Sequence, residues 1–265
     1  MSLIKISRMH AFSMHLMASA VIASISAALV FFLWYPKLLA YASGVQSIFL
    51  ILLLVDVALG PLITLIIFDT KKIGLKRDLI VVAAIQISAL LFGIYTVFVA
   101  RPVYLVFNDQ RFDLVYANDI SEKNLSMVKT PEFSSLPYFG PKIIAAELPA
   151  DPKLATQIIY SAISGGEDVQ DMPQYYSQYG EKKELILKVV IPLKNLIDSN
   201  KDKHDVVNSI IKKYSDEKKD VGYLPLKGKE NDLTVIIDKS NAEILDIVNL
   251  KPWVHFVPQY VPIKK

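Results

Sequence analysis

The chain has 265 residues with a mean hydropathy of +0.36, and 52% of its residues are hydrophobic. That hydropathy is too high for an ordinary soluble domain and indicates membrane-spanning segments. Lysine and arginine total 29 against 26 acidic residues, so the net charge is only +3. Because a nucleic-acid interface needs a strongly basic face, this balance argues against a nucleic-acid partner. The chain contains no cysteine, which excludes disulfide bonds and cysteine nucleophiles.

Three apolar runs are each long enough to cross a bilayer as a helix, and they predict transmembrane helices over about residues 11–35, 45–68 and 79–100. The flanks of these runs carry an uneven distribution of basic residues. Lys5 and Arg8 precede the first run, and four more basic residues separate the second from the third, namely Lys71, Lys72, Lys76 and Arg77. The positive-inside rule therefore predicts a cytoplasmic N-terminus. Residues 1–101 form the predicted membrane domain, and residues 102–265 form a domain on the opposite side.

The first run could also be a cleaved signal peptide, with Ala18, Ser19 and Ala20 as the cleavage site. A signal peptide has an apolar core of only about 7 to 15 residues. This run continues past the candidate site to an aromatic end at Trp34 and Tyr35, as an interfacial belt would. We therefore expect an uncleaved membrane anchor.

The second run carries a carboxylate, Asp56, near its middle, followed by Gly60 and Pro61. An acidic side chain at mid-membrane costs on the order of 2.5 to 3.5 kcal/mol on insertion scales, so it normally faces other helices or a wet cavity. Pro61 lacks an amide donor, which frees a backbone carbonyl that a neighbour must satisfy. The second helix is therefore not expected to stand alone.

Antiparallel neighbours place Asp56 at about the depth of Ser24 in the first run and of Gln86 in the third. Ser24 belongs to a face of small residues that allows close helix approach. Three interpretations of Asp56 stay open: a protonated or hydrogen-bonded strut inside the bundle, a contact with a polar group on a partner helix, or part of a proton or ion path. The strut is favoured over the path, because a lone acid has no relay.

Arg101 and Pro102 close the predicted membrane domain, because the third helix should end there, and the predicted outer domain begins at residue 102. Alternating apolar residues predict two β-hairpins, one with strands over 103–107 and 112–116 and one over 233–237 and 243–249. A helix with an apolar stripe should start at the capping pair Asp151 and Pro152, and a second helix is expected over about 202–218. The predicted fold is α+β, with a three-helix transmembrane bundle followed by a domain whose hairpins join into an antiparallel sheet.

Three aromatic residues in this domain are candidates for either packing or recognition. Tyr175 and Tyr176 form a local pair, and tyrosine is common at interface hot spots. Trp253 precedes a proline-spaced tail over residues 257–265 and is interpreted as either a cap on the sheet or an exposed anchor. Neither of the two histidines in this domain, His204 and His255, stands in a recognisable catalytic setting.

Signature motifs of hydrolases, nucleotide-binding loops and zinc proteases are absent from the sequence. The sequence therefore predicts no catalytic residue, no cofactor site and no metal site.

A combined pattern in this chain resembles the type IV pilin accessory protein family, of the TfpX/TfpZ kind. The residues that carry the resemblance are Asp56, residues 59–62 (LGPL), Thr64, Asp78, Leu79, Gln86, Gly93, residues 100–104 (ARPVY), Phe107, Arg111 and Phe112. Looser matches continue through Gly140 and Pro141, residues 166–168, Tyr175 and Tyr176, and Pro252 and Trp253. The turn at residues 108–110 departs from the family pattern, so the role of that turn is left open.

The resemblance implies a multi-pass inner-membrane protein of a Gram-negative bacterium, with a periplasmic C-terminal domain, that supports surface piliation beside the major type IV pilin. It implies no enzymatic activity and no cofactor. As expected partners we name the major pilin, inner-membrane pilus assembly proteins and membrane lipid. We hypothesise a chaperone-like role with these partner-binding residues: Asp56, Gly60, Pro61, Ser24, Gln86, Arg101, Tyr175, Tyr176 and Trp253. The alternatives are a membrane-bound enzyme or factor that modifies pilin or glycan, for which Asp109, Asp113 and Arg101 are the nearest cluster, and a membrane-tethered sensor.

Overall fold

The computed structural model describes residues 7–253, so Lys5, His255 and the tail at 257–265 lie outside the described residues. The chain divides into two compact units. The first comprises the described residues of Met1–Val103 together with Tyr116–Asp119 and Leu136–Pro141. The second comprises Tyr104–Val115, Ile120–Ser135 and the described residues of Lys142–Lys265.

Three helices of the first unit are long and apolar enough to cross a membrane, which identifies the chain as a membrane protein. They are α1 (Arg8–Trp34), α3 (Val45–Ile67) and α4 (Leu75–Val99), and a short helix, α2 (Leu39–Ser43), precedes α3. Both α1 and α4 begin about one turn before the predicted apolar runs, because helical winding continues into the polar flanks. Ser7 caps α1 by accepting a hydrogen bond from the backbone amide of His10.

The C-terminal end of α1 packs against the start of α3 and the end of α4 in a cluster that we call the aromatic end. Its buried residues are Val30, Trp34, Tyr35, Ala40, Val45, Phe49 and Val97. The hydroxyl of Tyr35 lies 2.9 Å from the carbonyl oxygen of Val97 and 2.7 Å from that of Ala100, at the last turn of α4. These contacts satisfy backbone acceptors that the end of a helix leaves free.

The second unit is built on one eight-stranded sheet. Its strands are β1 (Pro102–Asn108), β2 (Arg111–Tyr116), β3 (Lys142–Ala146), β4 (Tyr176–Gln178), β5 (Ile191–Pro192), β6 (Val221–Lys227), β7 (Leu233–Asp238) and β8 (Ile244–Val248). The strand order is β4-β3-β1-β2-β6-β7-β8, and β5 also pairs with β6.

The sheet is mixed, which corrects the prediction of one antiparallel sheet. β7 pairs antiparallel with β8, and β1 is hydrogen-bonded to β2, as the sequence pattern indicated. However, β3 runs parallel to β1, and β6 runs parallel to β2. The difference arises from two strands that the pattern did not predict. β3 lies on the outer side of β1, whereas β6 lies between β2 and β7 and joins the two predicted pairs.

Within residues 102–253, the chain also forms five α-helices: α5 (Glu122–Ser126), α6 (Pro152–Ile163), α7 (Lys183–Val189), α8 (Leu196–Ser199) and α9 (His204–Asp216). As predicted, Asp151 caps α6 and Pro152 occupies its first turn. One core cluster joins α8 and α9 to the sheet through Leu196, Val207, Tyr214, Tyr223 and Ile236. Every residue of β7 is buried, so both faces of the sheet are covered at that strand.

Candidate functional site

The helical winding of α3 changes around Asp56. Residues Leu54–Leu59 are wound as π-helix, and the backbone amide of Gly60 donates to the carbonyl of Val55, five residues earlier. In the same register, the carbonyl of Asp56 would accept from residue 61. Residue 61 is proline and has no amide hydrogen, so this carbonyl loses its helical donor.

Gln86 of α4 supplies the missing donor. Its Nε2 lies 3.3 Å from the backbone oxygen of Asp56. A Cβ atom on Gly60 would stand 1.7 Å from the same nitrogen, so Gln86 can approach only because residue 60 is glycine. Gly60, Pro61 and Gln86 therefore form one interdependent contact between α3 and α4.

The side chain of Asp56 is buried, with 7% of its surface exposed. Within residues 7–253, neither of its carboxylate oxygens has a hydrogen-bond partner, and neither does Oε1 of Gln86. Unsatisfied buried acceptors are costly in a membrane interior. The interior of the bundle thus holds three oxygen atoms that a hydrogen-bond donor would stabilise.

A second polar contact joins α1 to α3. Nδ1 of His15 lies 2.7 Å from Oγ1 of Thr64, and both residues line a groove of about 340 Å³ with Met14, Phe68 and Leu79. Ser24 is not part of this contact or of the Asp56 cluster. Its side chain is exposed and donates to the carbonyl of Ala20 on its own helix.

Arg101 is buried beside the aromatic end, with 5% of its surface exposed. Its Nη1 donates to the carbonyl of Phe98 at 2.9 Å, and the guanidinium carbon lies 3.9 Å from the centre of the Phe98 ring. Nε and Nη2 both donate to the carbonyl of Pro137, at 3.1 and 2.8 Å. Among residues 7–253, Arg101 forms no ion pair. Its positive charge is stabilised instead by hydrogen bonds to backbone carbonyls and by the cation–π contact with Phe98.

The second unit contains a groove of about 1110 Å³. Asp109 and Arg111, at the turn between β1 and β2, line one part of the groove. Ile159 of α6 and Trp253 line other parts. Trp253 is exposed, and its indole nitrogen donates to Oδ2 of Asp232 at 2.6 Å, which holds the ring at the surface. The groove combines apolar walls with charges of both signs.

Arg111 at this turn pairs with Asp113 on the same strand. Nε of Arg111 lies 3.1 Å from Oδ1 of Asp113, which is 4% exposed. Burial raises the pKa of the Asp113 carboxyl above its ordinary value, although the guanidinium opposes this effect. The ion pair therefore keeps the buried Asp113 carboxylate beside the Arg111 guanidinium on β2.

Comparison with known proteins shows a match to the model of the fimbrial assembly protein FimB over residues 5–44. The fimbrial assembly protein of Dichelobacter nodosus serogroups C1 and C2 is 34% identical over 109 residues, which cover 40% of this chain and 82% of that relative. The chain belongs to the fimbrial assembly protein family.

Two longer fimbrial assembly proteins are similar to this family member over most of its length. The fimbrial assembly proteins of D. nodosus serogroups I and E1 are each 29% identical over 231 residues, or 85% of this chain and 89% of each relative. No solved protein structure matches the chain. The resemblance identified from the sequence pattern is therefore confirmed.

Nine residues of this family member were predicted to bind a partner. The structure brings four of them together: Asp56, Gly60, Pro61 and Gln86. Tyr176 lies in the core of the second unit, where it donates to the carbonyl of Gln170 and packs edge-on against Tyr104. Its neighbour Tyr175 is half-buried. The sequence analysis did not predict the contact between His15 and Thr64, although Thr64 is one of the residues that carry the family resemblance.

The helix α6 departs from its predicted packing. Only Ile158 is buried, whereas Leu154, Ile159, Tyr160 and Ile163 are exposed. Ile159 and Ile163 are four residues apart and therefore share one helix face. An amphipathic pattern predicts that a helix has an apolar stripe, but it does not say whether the chain itself covers that stripe.

Proposed function

We propose that this protein is a non-enzymatic inner-membrane accessory factor for type IV pilus biogenesis that binds or stabilises the major pilin and thereby supports surface piliation. The observation that carries this proposal is the similarity to fimbrial assembly proteins along 85% of the chain. The similarity spans both units, so the proposed role belongs to the membrane helices and the second unit together.

In the proposed topology the N-terminus is cytoplasmic and the second unit is periplasmic. The basic flanks support this arrangement, because Arg8 and the segment between α3 and α4 lie at the same end of the bundle. Arg8 pairs with Asp69 at 3.3 Å, and Lys72 pairs with Asp78 at 2.6 Å. Both pairs are at least partly exposed, as expected at a membrane surface.

For the pilin, we propose one contact in the membrane and one outside it. In the membrane, the unpaired oxygens of Asp56 and Gln86 suit a hydrogen-bond donor on a partner helix that packs against α3 and α4 at this depth. In the second unit, the exposed face of Ile159 and Ile163 borders the groove that Trp253 lines. Exposed apolar surface of this kind marks a site of protein association.

The proposal of a non-enzymatic role is supported by three acidic side chains in or near the groove, each of which is committed to a structural contact. Asp113 pairs with Arg111, Glu147 pairs with Lys182 at 2.7 Å, and Asp168 caps a single helical turn. Within residues 7–253, no group of histidine, aspartate and glutamate side chains is arranged to hold a metal ion.

The test is purification of the tagged full-length protein from its native membrane in mild detergent after crosslinking, followed by mass spectrometry. We expect the major pilin to be enriched over an unrelated tagged membrane protein of similar abundance. Enrichment of the inner-membrane assembly platform without pilin would reject pilin binding and assign the role to the assembly machinery.

Two variants separate the proposed contacts. Ile163→Lys places a charge on the exposed face of α6 and should reduce pilin crosslinking several-fold, whereas Gln157→Lys, on another exposed face of that helix, should not. Asp56→Leu should weaken pilin association through the membrane contact, with Ser88→Leu on the exposed face of α4 as its control. Pilin recovery that is unchanged in Ile163→Lys and Asp56→Leu would contradict both contacts.

A further inference from the structure

Residues Leu136–Pro141, with the sequence LPYFGP, are far in the chain from the membrane helices but belong to the first unit. The backbone amide of Gly140 donates to the carbonyl oxygen of Leu33 at 2.7 Å. Leu33 lies in the last turn of α1. The segment is therefore tied directly to the end of a membrane helix.

The other end of the segment is held by Arg101. As described above, two nitrogen atoms of its guanidinium donate to the carbonyl of Pro137, and the third donates to that of Phe98. The ring of Tyr138 stacks on Phe98, with 6.4 Å between the ring centres and 19° between the planes. Arg101 and Phe98 thus attach the segment to the end of α4.

These attachments determine the depth of the segment. A helix that spans the bilayer ends near the membrane surface, and α1 and α4 end at Trp34 and Val99. Because Gly140 contacts the last turn of α1 and Tyr138 contacts the last turn of α4, the segment lies at the same depth as those turns. For helices that span the bilayer, that depth corresponds to the boundary between lipid headgroups and hydrocarbon.

The segment presents two aromatic side chains outward. Tyr138 is 69% exposed and Phe139 is 63% exposed, and none of the six residues is charged. On the adjoining surfaces of α1 and α4, Phe32 and Tyr95 are exposed as well. Aromatic side chains at this depth sit in the headgroup region, where their rings are partly removed from water.

Part of the segment's backbone suits the same position. Non-helical backbone near a membrane needs partners for its polar groups. Pro137 and Pro141 have no amide hydrogen, the amide of Gly140 is bonded to Leu33, and the carbonyl of Pro137 is bonded to Arg101. Gly140 adopts a φ of +49°, a conformation that glycine allows at little cost.

We propose that Leu136–Pro141 is an interfacial anchor, in which Tyr138 and Phe139 insert into the lipid headgroup region beside the ends of α1 and α4. The anchor adds a fourth membrane attachment to the three spanning helices. It requires lipid only and is independent of pilin binding.

The test uses the natural absence of cysteine, which allows single-cysteine labelling of the full chain. Phe139→Cys and Tyr138→Cys carry a nitroxide label in nanodiscs of phosphatidylethanolamine and phosphatidylglycerol, without any other protein. Electron paramagnetic resonance then compares label accessibility to oxygen, which partitions into lipid, with accessibility to a water-soluble nickel complex. Phe92→Cys on the exposed face of α4 is the lipid reference, and Glu230→Cys is the aqueous reference.

We expect at least one of the labels at residues 138 and 139 to be several-fold less accessible to nickel than the label at residue 230, with oxygen accessibility approaching that at residue 92. If both labels are as accessible to nickel as the label at residue 230, the anchor is rejected, and a protein partner becomes the occupant to seek. Adding Arg101→Gln should raise nickel accessibility at residue 139, because it releases Pro137. Far-ultraviolet circular dichroism checks that each labelled variant is folded.

Discussion

Gln86 donates a hydrogen bond from its side chain to the backbone carbonyl of Asp56, on a neighbouring membrane helix and 3.3 Å away. The carbonyl needs this donor because Pro61 cannot supply one in the π-helical register of Leu54–Leu59. An irregularity within one helix is thus compensated by a side chain of another. This explains why a proline in the middle of a membrane span is compatible with a packed bundle.

The contact between Gln86 and the Asp56 carbonyl should depend on Pro61. We expect Gln86→Leu to lower the free energy of unfolding by about 0.5 to 1 kcal/mol, the usual range for a hydrogen bond between membrane helices. In a Pro61→Ala background the cost should be smaller, because residue 61 then carries an amide donor. Unfolding in mixed micelles titrated with sodium dodecyl sulfate measures all four members of this double-mutant cycle. Additive effects would show that the two residues are not coupled.

Gly60→Ala should displace Gln86, because the new methyl group would stand 1.7 Å from Nε2. Overpacking of this kind costs about 1 to 3 kcal/mol of unfolding free energy. The same mixed-micelle titration measures the loss. Gly180→Ala is the control, since a Cβ atom there meets nothing within 4 Å. In a Gln86→Ala background, Gly60→Ala should cost much less, and an equal cost in both backgrounds would exclude Gln86 as the cause.

Arg101→Gln should destabilise the aromatic end, because it removes hydrogen bonds to the carbonyls of Phe98 and Pro137. A hydrogen bond from a charged donor contributes about 1.5 to 3 kcal/mol, and two carbonyls lose such donors, so we expect the free energy of unfolding to fall by at least about 1.5 kcal/mol. Thermal unfolding in detergent and protease cleavage near residue 137 report on the change. Arg77→Gln, on an exposed side chain, should leave both measurements near the wild-type values.

Asp113 should make the stability of the second unit depend on pH. Burial raises the pKa of its carboxyl in the folded state. Between the unfolded and folded pKa values the folded protein binds more protons, so stability from this group increases as pH falls through the folded pKa and decreases as pH rises. Asp113→Asn removes the titration, so the free energy of unfolding of wild type should rise relative to that of the variant on acidification from pH 7 towards pH 4. A pH-independent difference in unfolding free energy would contradict the assignment.

The same Asp113→Asn variant addresses the alternative enzyme hypothesis. A purely structural Asp113 should leave surface piliation near normal wherever the variant folds. Piliation abolished in a folded, membrane-inserted variant would favour a chemical role for this carboxylate. Electron microscopy of pili, with immunoblotting of the variant in membranes, distinguishes the two results.

Part of the second unit was predictable, because there the local sequence favours the same secondary structure that the folded protein adopts. The strands β1, β2, β7 and β8 follow from alternating apolar residues, and α6 follows from its capping pair. β6 was missed because it contains Gly222 and Pro225, which normally interrupt strands. In the folded sheet, a Cβ on Gly222 would lie 2.6 Å from the carbonyl oxygen of Ile191, and Pro225 lies between the residues that pair with β5 and those that pair with β2. Strand pairing, rather than local propensity, accounts for β6.

The sequence by itself determined the three membrane helices, because their apolar length exceeds what a soluble helix needs, and it determined that Pro61 requires a donor from elsewhere. It also carried the family resemblance. Only the tertiary structure decided that Gln86 is that donor, that Tyr176 is buried while the face of α6 is exposed, and that residues 136–141 join the membrane unit. Contacts between residues far apart in the chain depend on how helices and strands pack, and short-range periodicity does not encode that packing.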